Sequence, residues 1–178
     1  MVKNVIDAAD LPFDQLKVYG ITLTSLAEWD KNNLVSFLSF GRSDYRELNI
    51  VLADETILSI NGKLSIKKIS DHFKIEAHFY NKELIDPFNL DVEEIEDIKK
   101  GYIVFKKNEQ NETILYQRDH DINDIISIRS SELPFKLSTK IIRRAHKNKE
   151  IEVGDERLII DLNVPSNIIL VDNNFTKT

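Results

Sequence analysis

Residues 118 to 124, RDHDIND, crowd three aspartates, an asparagine and a histidine into seven positions. Asp119, Asp121 and Asn123 stand where an EF-hand calcium loop has its first three oxygen ligands, at positions 1, 3 and 5. The rest of that loop is missing. Position 6, normally glycine for a sharp turn, is Asp124; position 12, normally a glutamate gripping the ion with both oxygens, is Ser130, and Glu132 comes two residues too late. The stretch therefore predicts a polar turn between TILYQ and IISIR. A Mg²⁺- or Mn²⁺-assisted hydrolase built on 119–124, with His120 beside the carboxylates, is its chemical alternative.

The second stretch is PFKLSTKIIRRAHKNK, residues 134 to 149, with Lys136, Lys140, Arg143, Arg144, Lys147 and Lys149, His146 besides, and no acid. In a chain of net charge −6 this is the sharpest charge segregation, and it points to a phosphate-rich or other anionic partner, nucleic acid included. Read as a strand, KIIRRA sends Arg143 and Arg144 to opposite faces. Glu150, Glu152, Asp155 and Glu156 follow at once and predict a solvated, salt-bridged hairpin instead. Phe135 is the one aromatic residue for stacking a base, which weighs against single-strand binding.

Histidines also occur in DHFKIEAHFY, residues 71 to 80. His72 and His78 share a strand face about 20 Å apart, too far to hold one ion. Glu76 and His78 are two residues apart and close enough to cooperate, but acid–base work needs a third, orienting group. The phosphate-loop, dinucleotide, zinc-protease and nucleophile-elbow signatures are absent, and five glycines leave little material for a phosphate-cradling loop. The sequence names no catalytic residue and no cofactor.

These residues must be positioned by a mostly β chain. In 71–80, Phe73, Ile75, Ala77 and Phe79 alternate with polar residues, the mark of a half-buried antiparallel strand. RELNIVLA, YIVFKK, TILYQ, IISIR, KIIRRA, RLIIDL and NIILV extend the pattern, with NEQNE as the turn joining YIVFKK to TILYQ. Asn61-Gly62, inside TILSINGKLSI, predicts a hairpin with a bulge in its loop. GITLTSLAEW and LVSFLSF, flanking DKNN, read either as a hairpin or as a helix capped at Thr24 or Ser25. NLDVEEIEDIKKG predicts a short helix capped by Asp91 and closed by Lys99, Lys100 and Gly101. The fold class expected is mainly β, an antiparallel sandwich or barrel with one or two short helices, with α+β the alternative. One domain spans the chain, or two small β units divide near 85–101.

Composition sets the outer limits. Without cysteine there is no disulfide, thiolate nucleophile or iron–sulfur centre. No apolar run reaches the 18 or so residues of a membrane span, and MVKNVIDAADLPFDQL has no signal-type core, so a cytoplasmic chain without membrane contact is expected. Heavy use of Ile, Lys and Asn points to an A+T-rich genome, as in a low-GC bacterium or its phage. The leading functional expectation is a non-enzymatic protein that binds another protein: an assembly, inhibitor or immunity-type accessory factor, with homo-oligomers as a further option through exposed strand edges.

Overall fold

The structure is a computed structural model that describes residues 6–171. The MVKNV that opens the chain lies outside the described residues. Among those described are nine strands in three three-stranded antiparallel sheets, together with short helices, so the fold is mainly β. The chain divides into two compact units, one ending at Asn81 and one beginning at Lys82.

In the first unit, helices α1 (Phe13–Leu16), α2 (Leu23–Ala27) and α3 (Lys31–Phe40) precede the sheet β1 (Arg46–Val51), β2 (Ile57–Ile69) and β3 (His72–Phe79). The helical reading of 24–40 holds, with different caps. Thr22 accepts from Ser25 N–H in a capping box, and Asp30 accepts from the N–H groups of Asn32 and Asn33, so DKNN starts a second helix. Leu16, Leu26, Phe37, Leu48, Leu64 and Ile66 form the buried core, against which Phe73, Ile75, Ala77 and Phe79 pack from β3.

The hairpin expected at Asn61-Gly62 does not form. The strand β2 runs straight through both residues, with Arg46 and Phe79 opposite Gly62 on either side. The β1–β2 turn lies at 52–56, where Leu52 N–H donates to Thr56 O (2.9 Å) and Glu55 adopts φ 66°. The glycine at 62 serves close packing, since a Cβ there would stand 2.7 Å from His78 O.

In the second unit, α4 (Val92–Lys99) is capped as expected, Asp91 accepting from Glu94 N–H and Glu94 from Asp91 N–H. Strands β4 (Val104–Lys107), β5 (Thr113–Asp119) and β6 (Asp124–Arg129) make one sheet, and β7 (Ile151–Val153), β8 (Glu156–Ile160) and β9 (Ile168–Leu170) another. Alternation splits the first of these sheets cleanly. Val104, Tyr116 and Ile125 face Ile95 and Ile98 of α4, whereas Phe105, Leu115, Ile126 and Ile128 share a core with Ile151, Leu158 and Ile160 of the other sheet.

KIIRRA is a correction of kind: Thr139–His146 is a helix, α5, not a strand. Ser138 Oγ accepts from Ile141 N–H (3.2 Å), and Leu137, Ile141 and Ala145, four residues apart, turn into the core. No helix among the described residues is long and apolar enough to cross a membrane.

Candidate functional site

The RDHDIND segment joins β5 to β6, and its polar groups build the turn. Asp119 is buried, and its Oδ1 accepts from Asp121 N–H (3.0 Å); Asn123, at φ 52°, accepts from Arg118 Nε (3.0 Å). The turn is tied to the loop after β8, because His120 N–H donates to Asn163 Oδ1 and Asn163 Nδ2 donates to Arg118 O. Among the described residues no group of three or more His, Cys, Asp or Glu side chains is arranged to hold a metal ion. Asp119, Asp121 and Asn123 are thus brought near one another as turn-forming residues, each with hydrogen bonds to its own segment.

The helical form of α5 changes the basic segment more than any other. Lys140, Arg143, Arg144 and Lys147 follow the i, i+3, i+4, i+7 spacing, and all four are exposed. The two arginines that a strand would send to opposite sides lie together on one helical surface. Arg144 Nε donates to Glu150 O (2.6 Å), while Arg157 pairs with the Glu150 carboxylate. The Glu150 carboxylate is thus engaged by Arg157 of β8, and Arg144 meets only the backbone of Glu150. His146 belongs to the scaffold: Nδ1 lies 2.7 Å from Ile103 O and Nε2 3.4 Å from Asp97 Oδ2. Lys149 and Lys136 are exposed on the flanking loops.

On β3 the polar row is a row of neighbour contacts. Glu76 pairs with Lys74 at 2.7 Å, and the hydrogen bond from that ammonium holds its carboxyl below the usual glutamate range. His78 Nε2 lies 2.9 Å from Ser65 Oγ, so Glu76 and His78 serve different partners.

One surface was not singled out by sequence reasoning. The β2–β3 pairing stops at Gly62↔Phe79, so Ile57–Asn61 of β2 are paired in the sheet with β1 alone. This two-stranded arm carries apolar side chains into solvent: Ile57 is 63% exposed, Leu58 49% and Ile60 37%, with Val51 and Leu52 exposed beside them. Leu58 and Ile60 sit on the same alternating face as buried Leu64 and Ile66, so the core face of the sheet continues past its cover. The signal was present in the sequence as unbroken alternation through 58, 60, 62, 64 and 66, hidden by the turn reading of Asn61-Gly62. At the tip, Asp54 Oδ1 accepts from Thr56 N–H (3.0 Å), and hydrogen bonding from Thr56 lowers the Asp54 pKa.

In comparisons with protein-family models, curated proteins and solved structures, nothing matches this chain.

Proposed function

We propose that the chain is a non-enzymatic protein-binding factor, an assembly, inhibitor or immunity-type accessory protein working in the cytoplasm of a low-GC bacterium or its phage. Its partner protein docks on the β1–β2 arm. The supporting observation is the coincidence, over Ile57–Asn61, of exposed apolar side chains and a strand edge that β3 leaves unpaired. An edge of this kind accepts an added strand, whose backbone supplies hydrogen bonds while the apolar side chains supply burial. Asp54 and Glu55 at the tip favour a partner with basic residues flanking its docking segment, and they repel a second copy of a chain of net charge −6.

The test compares capture of proteins from the native host by the wild-type chain and by an Ile57→Asp, Leu58→Asp double variant. Loss of a specific partner, with unchanged circular dichroism, is expected. Capture that survives the double substitution refutes the assignment, and a self-association lost with it replaces the foreign partner by a homo-oligomer.

A second reading rests on its own observation. Four cations on one side of α5 match the spacing of a helix that lies against a polyanion, so this surface binds nucleic acid or another anion. Binding to duplex and single-stranded oligonucleotides at rising salt tests it. The affinity should fall steeply with salt, and a Lys140→Ala, Arg143→Ala variant should reduce the slope by about two phosphate contacts. No binding at low salt removes this reading.

A further inference from the structure

We infer that the second unit carries a cleft for a small phosphate-bearing molecule, held by Lys99, Lys100, Arg118 and His120. These residues line a cavity of about 370 Å³ together with Asn148 and Asn163. They come from separate parts of the chain: the C-terminal end of α4, the end of β5 with its turn, the loop after α5 and the loop after β8. A cavity of this size lies within the range that holds a drug-sized or mononucleotide-sized ligand, which the convex surface of α5 cannot enclose.

The charge balance of the lining decides the class of ligand. Three permanent cations and a histidine are among its lining residues, against one carboxylate, Asp161. That carboxylate is turned toward its own loop, its Oδ1 accepting from Asn163 N–H (2.9 Å) and Asn163 Nδ2 (3.1 Å). The Lys99 ammonium has no ion-pair or hydrogen-bond partner among the described residues, and the Lys100 ammonium is 3.8 Å from Asp97. His120 Nε2 lies 3.6 Å from Asp121. In a chain of net charge −6, cations so concentrated in a walled concavity attract anions specifically.

Hydrogen-bond geometry narrows the anion. Arg118 uses Nε on Asn123, which fixes the guanidinium plane, while its two terminal nitrogens have no hydrogen-bond partner among the described residues. A fork of two parallel donors matches two oxygens of one phosphate. The Gly101 carbonyl at the cavity wall, which would otherwise repel an anion, accepts from Gln117 Nε2 (3.2 Å) and Asn148 Nδ2 (2.9 Å). The turn whose aspartates looked like cation ligands therefore presents Arg118 and His120 to an anion.

Isothermal titration of the full chain with pyrophosphate and with adenosine triphosphate, in metal-free buffer, tests the assignment. One-to-one binding is expected, weakened at least tenfold by Lys99→Glu and by Arg118→Gln, and changed less than twofold by Lys140→Ala, Arg143→Ala or by Leu58→Asp. Lys99 is exposed, so its variant keeps the test valid should Arg118→Gln fail to fold. Equal affinity for the two probes identifies the phosphates as the recognised group; tighter binding of adenosine triphosphate supports a nucleotide filling the cavity. Absence of binding at millimolar pyrophosphate overturns the inference, as does equal loss in the α5 variant or binding confined to oligonucleotides. The Leu58→Asp control keeps this outcome separate from that of the docking arm.

Discussion

Replacing Gly41 by alanine tests how the first unit is locked. Gly41 closes α3 at φ 67°, its N–H donating to Phe37 O (2.7 Å), and its carbonyl accepts from Ile66 N–H (2.7 Å) on β2. A left-handed conformation costs a residue with a Cβ about 1–2 kcal/mol. Space adds a second cost, because the new Cβ would lie 2.2 Å from Ile66 O, a backbone atom that cannot swing aside. Relieving that clash pulls helix from strand and weakens the Ile66–Gly41 bond, so the total destabilisation is about 2–4 kcal/mol. Gly154 is the control, since at φ 61° it shares the conformation but a Cβ there meets nothing within 4 Å; Gly154→Ala should cost about 1–2 kcal/mol. The side chain of asparagine tolerates the left-handed region, so Gly154→Asn should recover most of the alanine cost and Gly41→Asn should recover little. Urea unfolding followed by Trp29, the sole tryptophan, whose ring lies 5.3 Å from Phe37 in the same core, reads Gly41; circular dichroism reads Gly154. A Gly41→Ala chain within about 0.5 kcal/mol of wild type, or one rescued by asparagine, refutes the steric argument.

Other outcomes follow from the same contacts. Gln117, 4% exposed, donates to Gly101 O and accepts from Leu162 N–H (2.7 Å), so Gln117→Leu removes two hydrogen bonds from the interior and should lower stability by about 1–3 kcal/mol in urea unfolding. Glu76 should titrate below the ordinary glutamate range in carbonyl NMR, and Lys74→Ala should return it to that range. Its folded-state pKa being depressed, the stabilisation is present at neutral pH and lost as pH falls through the carboxylate range; it is small for so exposed a pair. Millimolar Ca²⁺, Mg²⁺ or Mn²⁺ should leave the melting temperature unchanged, because the oxygens at 119–123 serve their own turn; a rise of several degrees would contradict that geometry.

The legible parts of the fold are those where local chemistry and tertiary packing agree. The alternation of Phe73, Ile75, Ala77 and Phe79 became β3, and Asp91 with Glu94 capped α4, because each signal lies within a few residues of its consequence. Asn61-Gly62 failed because a turn preference is weak beside eight β2–β3 pairings that begin at Gly62. A two-residue loop there would have set apolar residues opposite polar ones, and that conflict was itself the sign of a continuous strand. KIIRRA failed because a pair of isoleucines flanked by cations fits a strand or a helix equally; Ser138 and the Leu137, Ile141, Ala145 spacing tip it to helix. The phosphate cleft was beyond reach, since Lys99, Arg118, Asn148 and Asn163 meet only through the packing of distant segments.

A photo-crosslinking residue placed at Leu58, with a second chain carrying it at Lys67 near the β3-paired end of the same strand, tests the docking arm most directly. In cells of the native host the account predicts a discrete adduct with another polypeptide from position 58 and none from position 67. Equal labelling at both positions, or none at 58, contradicts it.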